Sequence, residues 1–170
     1  MEPTKLTYNF FDEGGINNSY VFKTVTGITY EIKFKPSPYL VSDEPFAEFV
    51  FELVIELLEN ETGKPIRYDP LVAATVAAIV LNFYNRSRKT ITVYICDSSD
   101  NRQEGRRRKF DQWFAYFAQN DFAKVEFYMG SKGEKVLYRL SVMIWLDNPD
   151  RLKIFSAFEK LARGFVSDTN

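Results

Sequence analysis

Histidine is absent from the chain. That removes the commonest general acid–base and the commonest metal ligand, so Ser–His–Asp and Cys–His chemistry cannot be assembled here. Cysteine occurs once, as Cys96, which excludes an intramolecular disulfide framework, argues against a structural zinc and fits a reducing compartment. Neither G-x-x-x-x-G-K-[ST] nor G-x-G-x-x-G is present, so Walker-type and dinucleotide sites have no support. The longest uncharged apolar run, Leu71 to Tyr84, falls short of the roughly 20 residues that span a bilayer. No basic stretch followed by an apolar one opens the sequence, so a signal peptide is not expected. Net charge is −1, which gives no general attraction to nucleic acid or membrane. The expectation is a soluble cytoplasmic protein without cofactor or membrane partner.

What is present is apolar and aromatic. Hydrophobic residues make up 45% of 170, with 16 Phe and 10 Tyr, enough to fold as one domain, 1–170. KLTYNFF, SYVFKTV and ITYEIKFKP alternate apolar and polar residues around the turn signals Asp12–Gly15 and Thr26–Gly27, which predicts an antiparallel meander. Ser42–Asp43–Glu44–Pro45 reads as a helix start. Phe46, Phe49, Val50, Leu53 and Leu57 then form a helical stripe opposite Glu48, Glu52, Glu56 and Glu59, so a helix is expected over about 44–61. Asp69–Pro70 opens a second helix, apolar around its circumference and therefore central. TITVYIC reads as an interior strand, and a helix follows over about 102–119. FAKVEFYMGS and EKVLYRLSVMIWL form a hairpin across Lys132–Gly133. A last helix starts at Asn148–Pro149–Asp150, with Leu152, Phe155, Phe158, Leu161 and Phe165 at helical spacing. The order is βββ-αα-β-α-ββ-α, an α+β fold with a mostly antiparallel sheet covered by helices.

Charge is unevenly spread. Val41 to Glu61 holds seven acids and no base, whereas Arg86 to Lys109 holds eight bases. These stretches either neutralise each other within the fold or across a dimer, or they form an acidic solvated face and a basic anion-binding one. The densest segment is ICDSSDNRQEGRRRKF, residues 95 to 110. Asp97 follows the strand directly, and Ser98, Ser99, Asp100 and Asn101 are capping residues. Arg102, Arg106 and Arg107 lie in the first turns of a helix, where the macrodipole disfavours positive charge. Gln103, Arg106 and Arg107 continue the stripe of Phe110, Trp113, Phe114 and Phe117, while Arg108, Lys109 and Asp111 are expected to face solvent. An inward-leaning arginine requires a partner. That partner is a carboxylate (Asp97, Asp100 or a glutamate of 44–61), making the segment a structural clamp, or an external anion such as a phosphate.

A catalytic alternative stays open. Asp97 and Asp100 could hold a magnesium with one further carboxylate in a phosphoryl-transfer or hydrolytic enzyme, with the arginines stabilising transition-state charge. A nuclease would add an acid and a lysine on an adjacent strand; Glu126 with Lys124, and Glu134 with Lys135, are the nearest imitations, and surface hairpins carry such pairs routinely. Cys96 at the strand end reads as structural, and KFKPSPYL as a packed connector.

The run VYICDSSDNRQEGRRRKFDQWF resembles the signature of an uncharacterised family of small bacterial proteins. In that family an apolar strand ends in a CDSSD-type loop, followed by Arg–Gln, further arginines and a Phe…Trp–Phe helix. A looser similarity extends to YEIKFKPSPYL. The resemblance implies a bacterial cytoplasmic protein and brings no activity with it. The favoured reading is a non-enzymatic binding or interaction domain. Ser98, Ser99, Arg102, Gln103, Arg106 and Arg107 are its candidate ligand contacts, for a small anionic or phosphate-bearing ligand. Nucleic acid stays open as a partner. Three aromatic-striped helices on one small sheet leave surface for a homodimer.

Overall fold

The computed structural model describes residues 6–97, 103–117, 121–130 and 138–167, without the side chains of 97, 103, 104, 106, 107, 116, 117 and 165–167. Its centre is a seven-stranded sheet in the order β1-β2-β3-β4-β5-β7-β6. The predicted meander forms as β1 (Phe10–Gly14), β2 (Ser19–Lys23) and β3 (Ile28–Pro36), all antiparallel. Gly27 turns the β2–β3 corner at φ 88°, where a Cβ would come within 2.6 Å of the Glu61 carboxylate. Only glycine takes that conformation and that contact without strain.

The segment 44–61 departs from expectation. It is not a helix: after a 3₁₀ turn at Pro38–Val41, a second one at Ala47–Phe49 leads into β4 (Val50–Asn60). The helix-start residues serve the turns, with Glu44 N–H donating to the Val41 carbonyl and Ala47 N–H to that of Glu44. Two periodicities coexist here, and the strand one is satisfied by partners. Leu53, Ile55 and Leu57 pair with Phe34, Ile32 and Tyr30, while Glu52 and Glu56 pair with Lys35 and Glu31 on the other face. Lys33 reaches Glu56 at 2.8 Å and Glu31 at 3.3 Å, and Lys35 lies 3.9 Å from Glu52, so Glu52 and Glu56 are offset by lysines of β3.

The helix α1 (Pro70–Tyr84) links β4 to the parallel strand β5 (Ile91–Asp97). Its N-cap is Asp69, which accepts from Leu71 N–H at 2.9 Å, and nine of its residues are buried. The helix α2 (Gln103–Phe117) leads to β6 (Phe122–Met129), and β7 (Tyr138–Trp145) inserts between β5 and β6, antiparallel to both. The last helix, α3 (Arg151–Ser167), follows a turn in which Asn148 Oδ1 accepts from Asp150 N–H. The expected α+β class and mostly antiparallel sheet are therefore present, with the correction at 44–61.

Two cores flank the sheet. On one face Ile32, Phe34 and Leu53 pack under Val76, Ile79, Val80 and Phe83 of α1, with Phe110 of α2 and Met143 and Trp145 of β7. Phe34 stacks on Phe83 at 3.9 Å between ring centroids. On the other face Ile154, Phe158 and Ala162 of α3 cover Val50, Ile91, Val93, Leu140, Val142 and Ile144. Tyr84 carries its hydroxyl into the first core, where it lies 2.6 Å from both Thr92 Oγ1 and the Met143 carbonyl and accepts from Thr92 N–H. Burial pushes its phenol far above the ordinary tyrosine range. None of the described helices is long and apolar enough to cross a membrane.

Candidate functional site

β4 and β5 are parallel, so both run towards the same end of the sheet, where α1 and α2 begin. The singled-out strand–loop–helix element sits at that end, with Asp97 closing β5 and Gln103 opening α2. Ser98, Ser99, Asp100 and Arg102 lie outside the described residues, as do the side chains of Asp97, Gln103, Arg106 and Arg107. Glu134 and Lys135 are outside them too. Glu52 and Glu56 project from the face of β4 opposite to the one that Leu53 and Ile55 present to α1 and α2.

Further down α2 the side chains of 108–115 are described, and that of Phe117 lies outside the described ones. Phe110 is buried and stacks on Tyr94 at 4.3 Å, and Trp113 and Phe114 pack against the same core, as their spacing predicts. Arg108 and Lys109 are exposed. Asp111, expected to face solvent, instead accepts from Lys124 of β6 at 2.6 Å. Lys124 also lies 3.2 Å from Glu126, and Arg139 of β7 grips Glu126 with both Nε and Nη2. Arg139 retains only 8% of its accessible surface. The two cations hold the Glu126 carboxyl below the ordinary range, Arg139 foremost. These four charges tie α2 to the sheet and neutralise one another, so the Glu126–Lys124 pair presents no free acid and base. Sequence reasoning passed over the network. Its signal was the alternation Lys124, Glu126 with Arg139, Ser141, Met143, which places these charges on a helix-covered face.

Between α2 and α1 a groove of about 340 Å³ opens on that face. Its floor is Ile55 and Leu57 of β4, Tyr30 of β3 and Tyr94 of β5, and α1 contributes Val72 and Ala73. Lys109, Gln112 and Trp113 of α2 form one wall, and Ile66 to Asp69 of the connector before α1 form another. A second groove of about 390 Å³ lies beyond this connector, shares Arg67 and Tyr68, and adds Lys64. Among the described residues that line the groove there is one carboxylate, and it is engaged: Asp69 caps α1 and accepts from the Tyr8 hydroxyl at 2.6 Å. Arg67 and Lys109 have no carboxylate within 4 Å among the described residues. Tyr30 is held above the ordinary tyrosine range, chiefly by burial and then by the charge of Asp69. By contrast, a gap of about 20 Å³ under Phe110, Trp113 and Phe114 is wholly apolar-lined and is a packing defect of the core.

The described residues hold no group of three or more His, Cys, Asp or Glu side chains fit to bind a metal ion. Cys96 is buried at 3% exposure, in keeping with a structural thiol. No curated protein and no solved structure matches the chain. A family model does, over residues 68–160, which include the VYICDSSDNRQEGRRRKFDQWF run and exclude the looser YEIKFKPSPYL likeness. On that match, which spans more than half of its length, the chain belongs to the family of unknown function DUF6169.

Proposed function

We propose that the protein is a non-enzymatic binding domain that takes a small anionic ligand on the α1–α2 side of its sheet. The strand–loop–helix element 97–107 adds anion contacts at the upper end of α2. One observation carries this reading: Arg67 and Lys109 flank a groove of ligand size, and among the described residues neither has a carboxylate partner. Elsewhere the lysines of β3 and the cations of β6 and β7 are paired. A cation left unpaired beside an apolar cavity is a ready contact for an external carboxylate or phosphate.

The sequence supports an extension of this surface. Positions 106, 109 and 113 of α2 are spaced by three and four residues, so helical geometry sets them on one stripe with Trp113. Ser98, Ser99, Arg102, Gln103 and Arg107 complete the proposed anion-recognising set. Catalysis is disfavoured because histidine is absent and the one carboxylate among the groove's described residues is already engaged.

The test is a set of thermal melts with nucleotides, inorganic phosphate, organic carboxylates and magnesium. At saturation a ligand in the panel should raise Tm by about 5–10 °C. The shift should vanish in the Arg67→Ala/Lys109→Ala double variant and shrink in Arg106→Ala. A panel without any shift would contradict the proposal. A magnesium-dependent shift lost in Asp97→Asn would replace it with a phosphoryl-transfer or hydrolytic reading.

A further inference from the structure

From the make-up of the groove we infer its ligand class: an organic monoanion with a flat, apolar body, rather than inorganic phosphate or a polyphosphate. The inference rests on the binding reading above and narrows it to a chemistry. Three observations lead to it.

The first is the floor. Ile55, Leu57, Val72 and Ala73 offer methyl and methylene surface, and Tyr30 and Trp113 offer rings. A wholly hydrophilic ion would leave this surface wet, whereas a planar hydrocarbon would cover it and release that water. The volume of about 340 Å³ suits a body of two or three fused rings rather than a bare ion.

The second is the charge. Arg67 comes from the connector and Lys109 from α2, so a head group between them meets two cations from separate walls. The exposed amide of Gln112 supplies a neutral donor beside Lys109.

The third is what the α1 N-terminus does. The first backbone N–H groups of a helix are the usual cradle for a phosphate. Here Asp69 occupies that position, its carboxylate accepting from Leu71 N–H. This fixed negative charge lines the same groove. It competes for the amide and repels every anionic group in proportion to its charge, so a dianion or polyphosphate is penalised more than a monoanion.

Tryptophan supplies a local readout. Of the two in the chain, Trp145 is buried at 4% exposure and Trp113 lines the groove. The experiment is a fluorescence titration of the full chain with 2-naphthoate, against 2-naphthylmethanol and inorganic phosphate as comparison probes. 2-Naphthoate should quench the emission saturably. The neutral alcohol should bind roughly tenfold or more weakly, through loss of the charge-assisted contacts. Phosphate should neither quench nor displace the naphthoate. Arg67→Ala and Lys109→Ala, both at exposed positions, should each weaken naphthoate by roughly tenfold with unchanged melting of the free protein. Trp113→Phe should abolish the quench. Equal affinity for the alcohol and the acid, or displacement by phosphate, would overturn the inference. So would nucleotides shifting Tm while naphthoate gives no quench, and that result would leave the broader anion-binding reading standing. Failure of every anion in both assays would remove both.

Discussion

The Tyr84 hydroxyl shows how single polar atoms set stability in this molecule. It is buried and joins α1 to β5 and β7 through Thr92 and the Met143 carbonyl. Tyr84→Phe keeps the ring but strands those groups without a partner, so it should cost about 1–3 kcal/mol in urea unfolding. Glu126 makes a pH-dependent contribution. Its folded-state pKa is lowered by Arg139 and Lys124, so its stabilisation is present above the ordinary glutamate pKa and fades as pH falls through the depressed value. Glu126→Gln should therefore cost about 2 kcal/mol at pH 7. That cost should shrink towards zero at pH 3, measured by denaturant melts at both pH values. An undiminished cost at pH 3 would show that shape rather than charge matters there.

At the scale of elements, most of the architecture could be read from the residues because local signals agreed with tertiary demands. The Asp69–Pro70 start of α1, the alternation in β3 and the Asn148–Pro149–Asp150 turn each point to one conformation and adopt it. β4 shows where such reading stops. In VFELVIELLEN the apolar residues satisfy a period of two and a helical stripe at once. The partners on the neighbouring strand, Phe34, Ile32 and Tyr30 on one face and Lys33 and Lys35 on the other, decide between them. That information is non-local. Amide exchange distinguishes the two conformations. β4 pairs with β5 only at Val50 to Glu52, so beyond that point it is bonded on one side. Protection should alternate residue by residue along Leu53–Leu57, whereas continuous protection would indicate a helix.

On the scale of the whole molecule, the sheet segregates its charges by use. Those facing solvent on β3 and β4 pair across strands, those under α2 form the Asp111–Lys124–Glu126–Arg139 network, and Arg67 and Lys109 are left beside a groove. Part of the proposed site was legible beforehand. The concentration of bases before and within α2 drew attention to the helix that walls this groove, and Trp113 lay on the expected stripe. Arg67, Tyr30 and Leu57 were not legible, because only the β4-α1-β5 crossover brings the connector and the β3–β4 hairpin to the same helix. The network under α2 was missed for a related reason: Asp111, the Lys124–Glu126 pair and Arg139 come from three elements, joined by the fold alone. The claim that this groove binds an organic anion is tested most directly by NMR, titrating isotope-labelled protein with 2-naphthoate. Saturable shifts should concentrate at Tyr30, Ile55, Leu57, Arg67, Lys109 and Trp113. Shifts centred on the α3 face, or none at all at saturating ligand, would contradict it.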